Sequence, residues 1–349
     1  MEKLVIGMPA GSLADPNRGG SLVGLLEQAG FATSGYEKGG PSVFKTVNFL
    51  YGWDGRPQEF GSQMELGELD VAIAGDDWIR ERVLELKLEY NTDIQLEKAL
   101  SLQRGAVRIV GIACDDDSAD NAVDFVRETL AKKPLLTVVS EMPYLAVDWI
   151  QGLLAKAGLG DEFNEFSVQN YKTPPKIDKG VLIYKTWGKT EAKILNGGAD
   201  IGLEITQSGN AIRNYGLRII DEIMHSETGI WINPALREHK QKAELLDMFL
   251  LNLYGAINAE DKVMLLFNVS NAEAEGVERY LSDNNLFANE PTANKGHDFT
   301  QYSIQVETDS VARPVARVRY ELAKLGAKNI DTVPVLSSIP SISRVAKLD

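Results

Sequence analysis

Short continuous apolar runs alternate with amphipathic stretches along most of this chain. Lys3 to Met8 is the first run; a loop rich in Pro, Gly and Asn follows, and then LVGLLEQAGF, with leucines at helical spacing, Ser21 as its cap and Gly30 as its end. The unit recurs. LDVAIAG (69–75) precedes DDWIRERVLELKLEY, where Asp76 and Asp77 suit the first turn of a helix. AVRIVGIA (106–113) precedes an acidic loop and a helix, and LLTVVSE (135–141) precedes MPYLAVDWIQGLLAKAG, with Pro143 in its first turn. Between Pro41 and Gly61 the pattern weakens: VFKTVNFLYGW is strand-like and DGRPQEFG reads as a loop. Two strands are expected between Phe163 and Gly188, two more in RIIDEIMHSETGIWINP, and a long helix from Leu236 to Glu260. Alternating strands and helices predict an α/β protein.

From Asp261 the texture changes. KVMLLFNV, EAEGVERYL, a weak strand at ANEPTAN, FTQYSIQVE, PVARVRYELAKLG and NIDTVPVLS follow one another as β-α-β-β-α-β, the ferredoxin-like order. A domain boundary is expected near 258.

With 349 residues, 44% apolar and 25% charged, the chain has the composition of an ordinary globular protein and the length of two or three domains. No apolar run reaches the ~18 residues that a membrane helix needs, and the N-terminus reads as a strand rather than a leader, so a cytoplasmic location is expected. The net charge of −14, from 50 acids and 36 bases, disfavours nucleic acid and anionic membranes as partners. One cysteine and three scattered histidines leave no disulfide framework and no zinc motif.

The stretch richest in chemistry is ADIGLEITQSGNAIRNYGL (199–217). An apolar run ending in Glu204 delivers Thr206, Gln207, Ser208, Gly209, Asn210 and Ala211 to a helix start. Free backbone N–H groups in such a loop favour a bound anion, most often phosphate.

Several segments in order resemble the long form of the ATP phosphoribosyltransferase family. IGMPAGSL with LLEQAGF is similar to that family's opening strand, loop and helix; GELDVAIAGDDW, GAVRIVGIA, SEMPYLAVDWI, GKTE and HSETGIWIN are similar to its later segments. ADIGLEITQSGNAIRNYGL falls on its phosphoribosyl-pyrophosphate loop, and EPTAN with LAKLGAKNIDTVPV resembles its C-terminal domain. The resemblance spans essentially the whole chain.

It implies two periplasmic-binding-protein-like (type II) α/β domains around a cleft, residues 1–105 with 216–257 and residues 106–215. A ferredoxin-like (ACT-like) regulatory domain, 258–349, completes the chain. It implies transfer of the ribose of phosphoribosyl pyrophosphate to N1 of ATP with Mg²⁺, inhibition by histidine, and a homo-oligomer, dimer or hexamer. Arg56 and Arg108 fall on family arginines and join Glu204 as the expected catalytic set. Glu191 joins Thr206 to Ala211 as donor-binding, while Gly11, Ser12, Arg18, Asp76 and Asp77 are expected around the nucleotide; Lys185 and Lys189 add positive potential. The chain departs from the family pattern where Ala10 and Ser12 replace a lysine and an arginine and Ala211 replaces a threonine, with Arg18 as a substitute cation. A phosphoribosyltransferase with another acceptor, or a non-catalytic metabolite-binding protein, therefore stays open.

Overall fold

The computed structural model describes residues 2–10, 13, 21–115, 117–286 and 292–344. In chain order come β1 (Leu4–Pro9), α1 (Leu22–Gln28), β2 (Thr33–Ser34), β3 (Val43–Phe44), β4 (Leu50–Gly55), α2 (Pro57–Glu65), β5 (Val71–Gly75) and α3 (Asp76–Tyr90). Then follow β6 (Glu97–Cys114), α4 (Ala122–Lys132), β7 (Leu135–Ser140), α5 (Pro143–Ala157), β8 (Phe166–Asn170), β9 (Gly180–Lys185), α6 (Thr190–Leu195), β10 (Ile201–Thr206), α7 (Asn210–Asn214) and β11 (Leu217–Ile232). The last elements are α8 (Lys240–Ile257), β12 (Lys262–Ser270), α9 (Ala274–Asp283), β13 (Thr292–Lys295), β14 (Phe299–Glu307), α10 (Val315–Lys324) and β15 (Lys328–Pro334). Two compact units contain them: residues 1–23 with 33–245, and residues 24–32 with 246–349.

The first unit is built on one sheet of nine strands, in the order β4-β1-β5-β11-β6-β10-β7-β9-β8. Two parallel groups stand at its ends, β4-β1-β5 in a first lobe and β10-β7-β9-β8 in a second. Between them run β6 and β11, antiparallel to each other and to the group on either side. The chain crosses to the second lobe on one long strand and returns on the other. The two strands expected after Leu217 are thus a single strand of 16 residues. Its register against β6 shifts at several points between Ile219 and Trp231, and these bulges break up the side-chain periodicity that would have marked one strand in the sequence.

Two further expectations change. The loop expected at DGRPQEFG is the start of α2, because Pro57 occupies a first-turn position where no N–H is required. VFKTVNFLYGW is divided into β3 and β4. In the second lobe both sheet faces are covered: α4 and α5 pack Phe125, Leu145 and Trp149 on one, while Ile194 and Ile212 close the other. That explains the continuous apolar runs of β7, β9 and β10.

In the second unit the sheet order is β13-β14-β12-β15, antiparallel throughout, with α9 and α10 as the two connections. This is the strand order of a ferredoxin-like domain. Its core joins Phe267 and Tyr302, stacked at 5.5 Å, with Val277, Leu281, Val318 and Leu322 from the helices. Of the weak strand expected at ANEPTAN, residues 288–291 lie outside the described residues, while Thr292 opens β13.

Gly111 on β6 is required by packing. A Cβ there would stand 2.3 Å from the Trp149 ring, whose indole N–H donates to Asp221 at 2.8 Å. Gly111→Ala is expected to lower the unfolding free energy by about 1–3 kcal/mol, as for other overpacked cores. Urea unfolding measures it, and an unchanged midpoint would show that the indole can shift without cost.

Candidate functional site

In an open parallel sheet, the loops after the carboxyl ends of the strands form the crevice where ligands bind. Here β4 is followed by Arg56, β5 by Asp76, β7 by Glu141, β9 by Thr186 and Trp187, and β10 by Gln207, Ser208 and Gly209. Most of the residues expected from sequence thus fall at such ends.

The β10 loop is organised by its own hydroxyls. Gly209 N–H donates to the Thr206 hydroxyl at 2.9 Å, and Asn210 N–H to the Ser208 hydroxyl at 3.3 Å. Gly209 has φ +74°, a left-handed conformation that glycine adopts without a Cβ penalty. Gln207, Ser208, Asn210 and Ala211 are exposed. Since α7 has only five residues, little dipole backs this loop, and its positive potential comes from side chains. Arg213 donates to the Ser208 carbonyl at 3.1 Å and to Asn210 Oδ1 at 2.5 Å. Arg108, whose Cα is paired with that of Thr206 across β6 and β10, also reaches toward Gly209, while its Nη1 bonds Glu222 at 2.9 Å. That guanidinium holds the Glu222 carboxyl below its usual range.

Glu204, Glu191 and Glu141 form an acidic cluster beside this loop. Burial, with added repulsion from Glu191 and Glu141, pushes the Glu204 carboxyl up to about 7, although Thr190 and the Ile205 N–H at 2.9 Å favour its ionised form. Burial likewise raises Glu141, opposed by Lys193 and the Gly188 N–H. Among the described residues, no group of three or more His, Cys, Asp or Glu side chains is arranged to hold a metal ion alone.

Arg56 lines a cavity of about 570 Å³ with Gln58, Trp78, Glu81, Glu141, Lys185 and Trp187 among its walls. The cavity therefore takes side chains from α2 and α3 of the first lobe and from the ends of β7 and β9 of the second. Glu81 closes it. Its carboxylate accepts from Tyr144 N–H at 3.1 Å and Leu145 N–H at 2.7 Å, in the first turn of α5. Burial nevertheless raises the Glu81 carboxyl to about 7.

The structure brings Glu204 and Glu191 together with Glu141, and Arg108 to the β10 loop, while Arg56 stands apart in the cavity that Glu141 also lines. Asp76 and Asp77 are held in protein contacts. Asp76 pairs with Lys98 at 2.9 Å and accepts from Glu227 N–H, and Asp77, its carboxyl raised by burial, lies against Ser226. Neither lines the cavity. Gly11, Ser12 and Arg18 lie outside the described residues. Glu81, Glu141, Thr186, Trp187 and Arg213 were not singled out from sequence. For Glu141 and Trp187 the available signal was their position just past an apolar run; for Glu81, mid-helix on α3, there was none.

A family model described as "HisG: ATP phosphoribosyltransferase" matches residues 56–254. Curated proteins named ATP phosphoribosyltransferase are similar over nearly the whole chain. The one from Trichlorobacter lovleyi is 27% identical over 342 residues, covering 95% of this chain and 97% of its own. The one from Geotalea uraniireducens is 26% identical over 341 residues, with 95% and 97% covered. Among solved structures, an ATP phosphoribosyl transferase (HisG:HisZ) complex from Thermotoga maritima aligns at TM-score 0.47 and 14% identity, over 72% of this chain and 98% of that one.

Because the folded Glu81 carboxyl titrates near 7 and an unfolded one near 4.5, the native state binds the extra proton between those values. Stability therefore falls as pH rises through that window and levels above it. Glu81→Gln removes up to about 1.4 kcal/mol per pH unit of that slope. Urea unfolding at pH 5, 6, 7 and 8 reads the change; an equal slope in the variant would place the titration elsewhere.

Proposed function

The chain belongs to the ATP phosphoribosyltransferase family, whose members catalyse the first step of histidine biosynthesis, and we propose that the crevice of its first unit carries this reaction. N1 of ATP attacks C1′ of phosphoribosyl pyrophosphate. The C1′–O bond breaks, its electron pair leaves with pyrophosphate, and N1 gains the ribosyl bond. The observation that carries the assignment to this crevice is the convergence of a cationic, hydroxyl-bearing loop with three repelling carboxylates, Glu141 after β7, Glu191 on α6 and Glu204 on β10.

In this reading the Gln207, Ser208 and Ala211 N–H groups and the Thr206 and Ser208 hydroxyls, with Arg108 and Arg213, take the 5′-phosphate. Glu204 and Glu191 accept from the ribose hydroxyls, and their negative charge faces the cationic character that C1′ develops as pyrophosphate departs. Arg56 meets a polyphosphate in the cavity, and Gly11, Ser12, Arg18, Asp76 and Asp77 stay assigned to the nucleotide. Glu141 and Glu191 carry oxygen donors of the class Mg²⁺ takes; as the described residues form no metal site of their own, they would hold the ion only together with substrate phosphate oxygens. Mg²⁺ bound there would neutralise the leaving pyrophosphate.

The proposal keeps residues 1–105 with 216–257 and residues 106–215 as the two catalytic domains, and 258–349 as a regulatory domain for histidine. It further takes the protein to be a cytoplasmic homo-oligomer, dimer or hexamer. Among the described residues no helix is long and apolar enough to cross a membrane.

Pyrophosphate release by the purified protein tests the reading. Release is expected only when ATP, phosphoribosyl pyrophosphate and Mg²⁺ are all present, and histidine is expected to slow it. Turnover only with another base would assign a different acceptor, and binding without turnover a non-catalytic role. Arg108→Ala is expected to lower kcat/KM roughly 10- to 100-fold, the range for a charged hydrogen bond. Since the Glu204 carboxyl titrates near 7, kcat/KM should rise with pH through that value and Glu204→Gln should flatten the limb. A limb that survives in the variant would remove Glu204 from the mechanism.

A further inference from the structure

Trp187 is 82% exposed, although it stands in the wall of the cavity that Arg56 lines. Single exposed apolar side chains are common, but an indole in a cavity wall offers a ligand one of the largest apolar surfaces a side chain has. The loop around it is held on both sides. Thr186 N–H donates to the Ser140 carbonyl at 2.9 Å, and Lys193 bonds the Gly188 carbonyl. Gly188 and Lys189 both adopt left-handed conformations, at φ +77° and +61°, and Lys189 leads into α6. The conformation is one that a lysine adopts only when its surroundings impose it.

Two buried polar atoms in the same cavity wall lack partners among the described residues. The Thr186 hydroxyl is one, on a residue only 3% exposed, and Gln58 Oε1 is the other. A buried polar atom without a partner is costly, and one in a cavity wall is satisfied by whatever fills the cavity. Lys185 Nζ stands 5.7 Å from the Trp187 ring centroid and its charge also acts on the Glu81 carboxyl, while Arg56 lines a wall that carries Glu59, Glu81, Glu85 and Glu141 as well. An aromatic platform and two unpartnered polar groups in one cavity match a flat base with polar edges, and Arg56 and Lys185 are the cations beside it that a nucleotide's phosphates would meet. At about 570 Å³ the cavity is of the size that small-ligand sites have.

We infer that Trp187 is the platform on which the base of the acceptor nucleotide stacks, with Thr186 and Gln58 meeting the polar edge of that base. The inference rests on the reading of this crevice as a nucleotide phosphoribosylation site, and it adds the residues that select the base. A platform before Gly188 separates base recognition from the phosphate contacts of Arg56 and Lys185. Loss of the ring should therefore weaken a nucleotide and spare a bare polyphosphate.

The test is calorimetric titration of ATP, and separately of inorganic tripolyphosphate, into the full-length protein with Mg²⁺. Trp187→Ala is expected to weaken ATP roughly 5- to 150-fold, the range for loss of one base–aromatic stack. Trp187→Phe, which keeps a ring, should stay within about threefold of the parent. Thr186→Val should weaken ATP about 2- to 12-fold, as for one hydrogen bond. Tripolyphosphate should bind all four proteins alike. Equal ATP affinity for the parent and Trp187→Ala overturns the inference, as does a parallel loss of tripolyphosphate or a parent that binds no ATP. The readout is independent of turnover. A protein that releases no pyrophosphate, yet loses ATP with the ring and keeps tripolyphosphate, overturns the transferase reading and leaves the platform standing.

Discussion

The Glu81 carboxylate, buried on α3 of the first lobe, accepts two backbone N–H groups from the first turn of α5 in the second. Helix N-termini carry unsatisfied donors and partial positive charge, so a carboxylate delivered from another element both caps and anchors the helix. Around this junction, Arg80 pairs with Asp148 at 3.0 Å and the Tyr144 hydroxyl donates to Glu89 at 3.0 Å. The lobes are also linked by β6 and β11, whose bulged pairing leaves room for twist, and by Trp78 and Leu84 of α3, which pack on the core of the second lobe. Glu81 thus helps to set the separation of the crevice loops by holding the start of α5. Its position in the cavity wall makes one buried charge both a strut of the fold and a wall of the site.

The charge distribution follows from the same layout. The protein is acidic overall, yet Arg108 and Arg213 converge on the β10 loop and Arg56 and Lys185 on the cavity. Glu141, Glu191 and Glu204 sit close enough to repel one another, and in the proposed reaction they face the carbon that develops cationic character. Burial, with a smaller contribution from their repulsion, raises the Glu204 and Glu141 carboxyls. A cationic partner relieves that repulsion, a form of preorganisation that serves a transition state better than a neutral ground state.

Much of this was legible in the chain. Continuous apolar runs marked β5, β7, β9 and β10 because both faces of the sheet are covered, and the ferredoxin-like strand order followed from six well-separated segments. The β10 loop was legible because its chemistry is contiguous. What escaped were features created by tertiary contact. The bulges of β11 disguised one strand as two, and Pro57 opened a helix where a loop was expected. Asp76 and Asp77 sit at a helix start as expected, but Lys98, Ser226 and Glu227, distant in sequence, engage them. Glu81 could not be recognised from periodicity, since its partners are backbone groups more than sixty residues away.

In the proposed reaction the crevice between the two lobes of the first unit seats the phosphoribosyl donor on the β10 loop. A crystal structure of the protein with phosphoribosyl pyrophosphate and Mg²⁺ decides this. The 5′-phosphate is expected within hydrogen-bond reach of the Gln207, Ser208 and Ala211 N–H groups, the ribose hydroxyls against Glu204 and Glu191, and the pyrophosphate directed toward Arg56. Donor density elsewhere on the first unit, or on the second unit, would overturn it.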